Sequence, residues 1–267
     1  MSKGEMASDT VYSMSQIHER LRPGEIRLLR VFPSGPDVES IEGYLVAFTL
    51  GASPKYTAIS YAWGDRKDIS TIRIDGKATP ITTSLWHALM GLKKRHEPVW
   101  IWADALSINQ RDIDELNTQV QFMDSIYHQA HTVAICLGPQ SEKDDSKLAF
   151  EFMESNAEWK PSNVFCSMLT RDPRRISSVV RLFERNYWRR LWVMQEVFHA
   201  KKADVYCGSD CLALDTIFAA CKAFESFSDD IEKLFTAGKA RTLCFPPSHA
   251  YGTNLQVWIF YASAGPN

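Results

Sequence analysis

The sequence predicts an α/β fold in which a mostly parallel sheet is flanked by helices. Short apolar segments of strand length, TAISYAWG, VWIWADAL, HTVAICLG and ADVYCG, alternate with longer segments of helical periodicity. Alternation of this kind builds a parallel sheet covered on both faces. Polar and glycine residues gather just after the apolar segments, at Trp63-Gly64-Asp65, at Asp104 through Gln110 and at Gly138-Pro139. Ligands in open parallel sheets bind outside the carboxyl ends of the strands, so these three places mark the expected pocket.

Residues 1–54 hold a polar start, apolar stretches at Ile26 to Phe32 and Tyr44 to Leu50, and the turn-rich Pro33-Ser34-Gly35-Pro36 between them. They are expected to form peripheral strands of an N-terminal extension packed on the main domain. The main domain is expected over residues 55–238. It opens with TAISYAWG as a buried strand, STIRIDG as an edge strand and ITTSLWHALMGLKKR as a helix stopping before Pro98. VWIWADAL is the next buried strand, followed by the loop SINQRD and a helix from Ile113 to Ala130. Asp112 with Glu115 three residues on resembles a capping box, and Val120, Met123, Ile126 and Tyr127 supply that helix's apolar face. HTVAICLG is a third strand, closed by Gly138-Pro139, and SKLAFEFMES a helix. Glu158 to Arg175, broken by Pro161 and Pro173, is expected to be an irregular excursion or lid. ADVYCG and LDTIFAACKAFESF add a last strand and helix, and residues 239–267 read as a poorly ordered tail.

A 267-residue chain with 45% hydrophobic residues can bury one large core. The formal charge of −2 gives no general polyanion-binding surface, so nucleic acid is not an expected partner. The start, MSKGEMASDTVYSM, is not a secretory signal, and the longest apolar candidate, VWIWADALSI, carries Asp104. A cytoplasmic protein without membrane insertion is expected. Cysteines at 136, 166, 207, 211, 221 and 244 form no framework of close pairs, which suits a reducing compartment. Cys207 and Cys211, with His199 upstream, are one loose pair and fall short of a zinc set, so no metal is expected.

The stretch FERNYWRRLWVMQE, residues 183–196, puts Trp188, Trp192 and Glu196 near one stripe of a helix. An aromatic wall beside a carboxylate is what catalysis at a cationic centre needs. The same pattern also describes an amphipathic helix that buries two indoles and leaves Glu196 in water or paired with Arg189 or Arg190.

Three blocks, TAISYAWGD, WADALSINQRDIDELNTQVQFMDSIYHQAHTVAICLG and RNYWRRLWVMQEVFHA, resemble the fungal heterokaryon incompatibility (HET) domain over residues 55–210. The middle block of that family has Trp-Ile-Asp-Ala before a cysteine, where this chain has Ala103 and Ser107. The third has Pro-Trp where this chain has Asn186-Tyr187. Asp104, Asn109, Gln110, Gln195 and Glu196 are kept, while Ser107 in place of the cysteine argues against a thiol nucleophile or a metal there. The resemblance implies a role in nonself recognition and programmed cell death, an immune-like function. HET domains are in turn similar to TIR domains, flavodoxin-like α/β modules, some of which cleave NAD with a glutamate four residues after a tryptophan. Trp192 and Glu196 match that spacing.

Nicotinamide in NAD⁺ is already a cationic leaving group, so a single carboxylate placed beside the developing oxocarbenium suffices. On the resemblance, Glu196 is the catalytic residue and Trp63, Gly64, Arg66, Asp104, Asn109, Gln110, Trp192 and Gln195 bind substrate. Trp63 and Trp192 would stack on a base, and Gly64 with Arg66 would approach phosphate. Each residue has a structural role beside this one. Trp63 is equally a core anchor, Gly64-Asp65 a turn, Asp104 a helix cap, and Asn109 with Gln110 partners for loop backbone. Arg190 suits an acidic helix partner better than a substrate.

Two functions follow. One is an enzyme that needs no cofactor, takes NAD as substrate and is switched on by self-association. The other is a non-catalytic module that triggers death by assembling with cell-death or nonself-recognition proteins. A nucleotide-hydrolysing switch is a weak third reading, because no glycine-rich phosphate loop with its lysine occurs. The chain ends soon after the HET-like blocks, which fits either a minimal effector or a truncated copy.

Overall fold

The computed structural model describes residues 17–33, 40–93, 97–141, 145–157, 172, 174–189, 197 and 200–226. The chain divides into two compact units, Met1–Gly138 with Trp192–Gly208, and Pro139–Leu191 with Ser209–Asn267.

In the first unit the strands are β1 (Glu25–Val31), β2 (Glu42–Thr49), β3 (Thr57–Tyr61), β4 (Ile69–Ile74), β5 (Lys77–Thr82), β6 (Val99–Trp102), β7 (Thr132–Cys136) and β8 (Ala203–Cys207). They lie in the order β5-β4-β2-β1-β6-β3-β7-β8. The helices are α1 (Thr83–Leu92), the single turn α2 (Asp104–Ser107) and α3 (Ile113–Gln129). The α/β class is as expected, and the sheet is mixed. It is parallel through β6-β3-β7-β8 and between β2 and β4, and antiparallel where β1 meets β2 and β6 and where β4 meets β5.

The N-terminal strands do join the main sheet, and they reach its interior. β1 lies between β2 and β6, because Ile26, Leu28, Leu29 and Val31 point to both faces and all four are buried. STIRIDG, expected at an edge, is β4, and β5 takes the edge through the two-residue turn Asp75-Gly76. Both turn residues have positive φ, 52° and 74°, the geometry that suits a tight antiparallel hairpin. One core joins Leu29, Ile59, Ile101 and Ala134 of the sheet to Leu85 and Leu89 of α1.

Two helix starts in this unit are built by side chains. Thr82 accepts from the Leu85 amide, and the Asp112 carboxylate accepts from the amides of Asp114 and Glu115. Only half of the expected capping box forms, since Glu115 turns to Arg27 and to the Asn109 amide. The buried stripe of α3 is Gln119, Ile126 and Tyr127, and Val120, expected in the core, is exposed. The next residue round a helix lies about 100° away, and here Gln119 holds the inward position by donating to the Glu25 carbonyl at 2.8 Å. Asp112→Ala is expected to cost about 1 kcal/mol, read by urea denaturation, because two α3 amides lose their acceptor.

In the second unit, α4 (Ser146–Asn156), α5 (Arg174–Glu184), a 3-10 turn at Asn186–Arg189, β9 (Asp210–Ala213) and α6 (Leu214–Ser226) are described. α4 packs against α5, α6 and β9, and Phe152 stacks on Phe224. Ser146 donates to Asp210 at 2.7 Å. Trp188, expected on the stripe with Trp192 and Glu196, lies in the 3-10 turn as a buried residue, its indole bonded to the Leu182 carbonyl. Trp192, Gln195 and Glu196, and most of the expected lid, lie outside the described residues.

Among the described residues Cys136, Cys207 and Cys221 are buried and Cys211 is exposed, and none of the four is in a disulfide. Burial pushes the Cys221 thiol up to about 12, which keeps it protonated and inert. No helix among the described residues is long and apolar enough to cross a membrane.

Candidate functional site

The site begins where two neighbouring parallel strands part. β3 and β6 are in register only at Thr57 with Ile101 and Ala58 with Trp102. Just beyond that pairing, the Tyr127 hydroxyl of α3 bonds the Ile59 carbonyl. The chain leaves β3 towards the β4–β5 hairpin and α1, and leaves β6 towards α3, which then leads to β7 on the far side of β3. Such a reversal of strand order is where open α/β sheets leave a crevice.

Two side chains close the far end of the gap. Trp63, two residues past β3, donates its indole N–H to Asp104 Oδ2 at 2.8 Å, and Asp104 stands two residues past β6. The other Asp104 oxygen accepts the Ala105 amide at the start of α2. Gln110 returns over the turn, donating to the Asp104 carbonyl at 3.0 Å. Arg66 lies over the Trp63 ring, 5.1 Å from its centroid.

A partly open cleft of about 240 Å³ results, lined by Tyr61, Trp63, Arg66, Ala105 and Gln110, and by Ile69, Pro80, Ile81, Thr82 and Leu85 from the hairpin and α1. This is somewhat below the usual volume of a small-molecule pocket, roughly 300–1,000 Å³. Its walls are apolar, with an aromatic face, one amide donor and an exposed cation at the mouth.

Of the six expected substrate residues that are described, Trp63, Arg66 and Gln110 line the cleft and Asp104 stands behind Trp63. Gly64 turns the chain at φ 70° and packs on Ser84. Asn109 serves its loop, its side chain accepting the Arg111 amide and its own amide donating to Glu115. The apolar walls from β4, β5 and α1 were not anticipated. A hairpin signal, Asp75-Gly76 between alternating apolar residues, stands in the sequence, but no local pattern says which crevice the hairpin faces.

Beneath α2 lies a buried ion pair that sequence reading also missed. Arg27 of β1 and Glu115 of α3 are 3% and 8% exposed. Burial pushes the Glu115 carboxyl up, but the Arg27 hydrogen bond, the Asn109 amide and the charges of Arg27 and His18 together hold it below the usual carboxylate range. Among the described residues no group of three His, Cys, Asp or Glu side chains is placed to hold a metal ion.

The model of the family described as heterokaryon incompatibility protein (HET) matches residues 56–196. The chain belongs to the HET family. Heterokaryon incompatibility protein 6, OR allele, of Neurospora crassa is 27% identical to this HET chain over 235 residues, covering 73% of it. The HET chain spans 33% of the length of that relative. No solved structure matches. The HET match takes in the cleft residues from Trp63 to Gln110 and the sequence positions Trp192, Gln195 and Glu196, and it leaves β1 and β2 outside.

Proposed function

We propose that this HET chain is an effector of fungal nonself recognition and programmed cell death that hydrolyses NAD at the nicotinamide–ribose bond. The observation that carries the reading is the aromatic cleft at the parted ends of β3 and β6, with Trp63 as its ring face and Gln110 as its amide donor. Trp63 stacks on a base, Arg66 swings from the ring to a phosphate, and Gln110 fixes the ring's polar edge. Glu196, four residues after Trp192, supplies the carboxylate. The C–N bond breaks and nicotinamide leaves neutral with its electron pair. Water then adds to the ribose carbon and loses a proton, giving ADP-ribose. The resemblance to TIR domains supports activation on self-association, and the reading places the enzyme in the cytoplasm, not inserted in a membrane.

Nicotinamide release from NAD⁺ by concentrated, crowded protein tests this. Wild type is expected to turn over, with Glu196→Ala and Glu196→Gln each slower by about 100-fold or more at unchanged melting temperature. Absence of wild-type turnover under every assembly condition overturns it.

One observation favours the non-catalytic alternative, a module that triggers death by assembling with partner proteins. Asp104 and Asn109 are both engaged in holding local backbone. Under that reading Glu196→Ala still triggers death in cells.

A further inference from the structure

The turn that carries Asp104 is too short to hold itself. α2 has four residues, and a helix of one turn has too few internal bonds to offset the cost of fixing its backbone. Its carboxyl end also leaves carbonyls without helical partners. The N-terminal segment supplies those partners. His18 Nε2 bonds the Leu106 carbonyl at 2.8 Å, and Arg27 Nη1 donates to the Ser107 carbonyl at 3.1 Å. The same guanidinium donates through Nε and Nη2 to the Glu19 carbonyl and grips both oxygens of Glu115. Glu115 Oε1 in turn accepts the Asn109 amide at 2.7 Å.

Arg27 thus joins the end of α2, the loop that bears Gln110, the start of α3 and the segment before β1. These links converge on the short stretch between Asp104, which holds the Trp63 indole, and Gln110, which lines the cleft. We infer that Arg27, with Glu115, is the positioning residue of the cleft, setting the Trp63–Asp104 wall from a strand that lies outside the HET-matched segment. The guanidinium suits the task because its planar fork serves three carbonyl and carboxylate groups at once. A lysine ammonium has the charge but not the fork. The inference rests on the cleft being the ligand site, and its test reads the wall itself, so it stands or falls whether or not NAD is the ligand.

The test follows indole N–H signals in 15N-tryptophan-labelled full-length protein, with Trp63 and Trp102 assigned from Trp63→Phe and Trp102→Phe. Trp102 is fully buried in β6 and reports on the core. Arg27→Lys and the milder Glu115→Gln are each compared with wild type. The expected result is exchange of the Trp63 indole proton accelerated by local opening about tenfold or more beyond any acceleration of Trp102. An unchanged Trp63 in both variants overturns the inference. Acceleration of Trp63 no greater than that of Trp102 also overturns it, since the wall would then open only together with the whole unit.

Discussion

Arg27→Met is expected to destabilise the fold by about 3–5 kcal/mol, because it leaves Glu115 buried without its counter-charge. Desolvating two charges is costly, and the pair is stable in this place only because every oxygen of Glu115 and most N–H groups of Arg27 are bonded. Removing one partner keeps the desolvation and forfeits the attraction. Replacing both, as in Arg27→Met with Glu115→Leu, is expected to recover part of the loss. It cannot recover all, since the carbonyls of Ser107 and Glu19 and the Asn109 amide stay without partners. Urea melts of the two single variants and the double variant give the coupling energy directly. The pH dependence has a definite sign. The folded-state pKa of Glu115 lies below its ordinary 4.5, so its contribution is complete above that value and is lost as pH falls through the folded pKa. Wild type should therefore lose stability faster than Arg27→Met as pH drops below about 4.5.

Gly43→Ala is the second large effect, about 3 kcal/mol or more of destabilisation measured as a lower urea midpoint. Gly43 lies in β2 opposite Val31 of β1 and beside Ile74 of β4. A Cβ there would overlap the main-chain oxygen of Arg30, lie 3.1 Å from its carbonyl carbon and press on Leu29 at 3.4 Å. Backbone of a paired strand cannot rotate aside as a side chain can. β1 and β2 would have to separate, and with them the strand that carries Arg27. Small spacing between these strands is thus a packing requirement, distinct from any need for a left-handed conformation.

The parts of the fold that follow from local pattern were legible. β3, β6, β7 and β8 are short apolar runs, α1 and α3 carry helical periodicity, and Asp112 is a recognisable cap. β5 was not recognised because Pro80 and Lys77 make KATPIT a poor strand on propensity, while an edge position tolerates both. Val120 misled because a valine in an apolar stripe looks buried, whereas Gln119 wins the inward position through a bond to a strand 94 residues away. At the candidate site, Trp63 and Asp104 were legible as cleft candidates because each stands two residues past a strand, and Gln110 because it falls in the polar loop after β6 and α2. The hairpin walls, His18 and Arg27 were not, since their roles depend on pairings across long sequence distance. The partner of Arg27 is 88 residues further on, and no pattern in either segment names the other.

The embedding of β1 between β2 and β6 bears on how the domain is to be cut from longer chains. A fragment starting at Tyr56, the first residue of the family match, would strip β6 of its antiparallel neighbour. The backbone groups of Val99 to Ile101 would then face solvent as a raw sheet margin beside the apolar surfaces of Trp100 and Ile101, an invitation to intermolecular strand pairing. Expression of such a fragment would report on its stickiness rather than on its chemistry. Fragments that begin before His18 keep the margin closed.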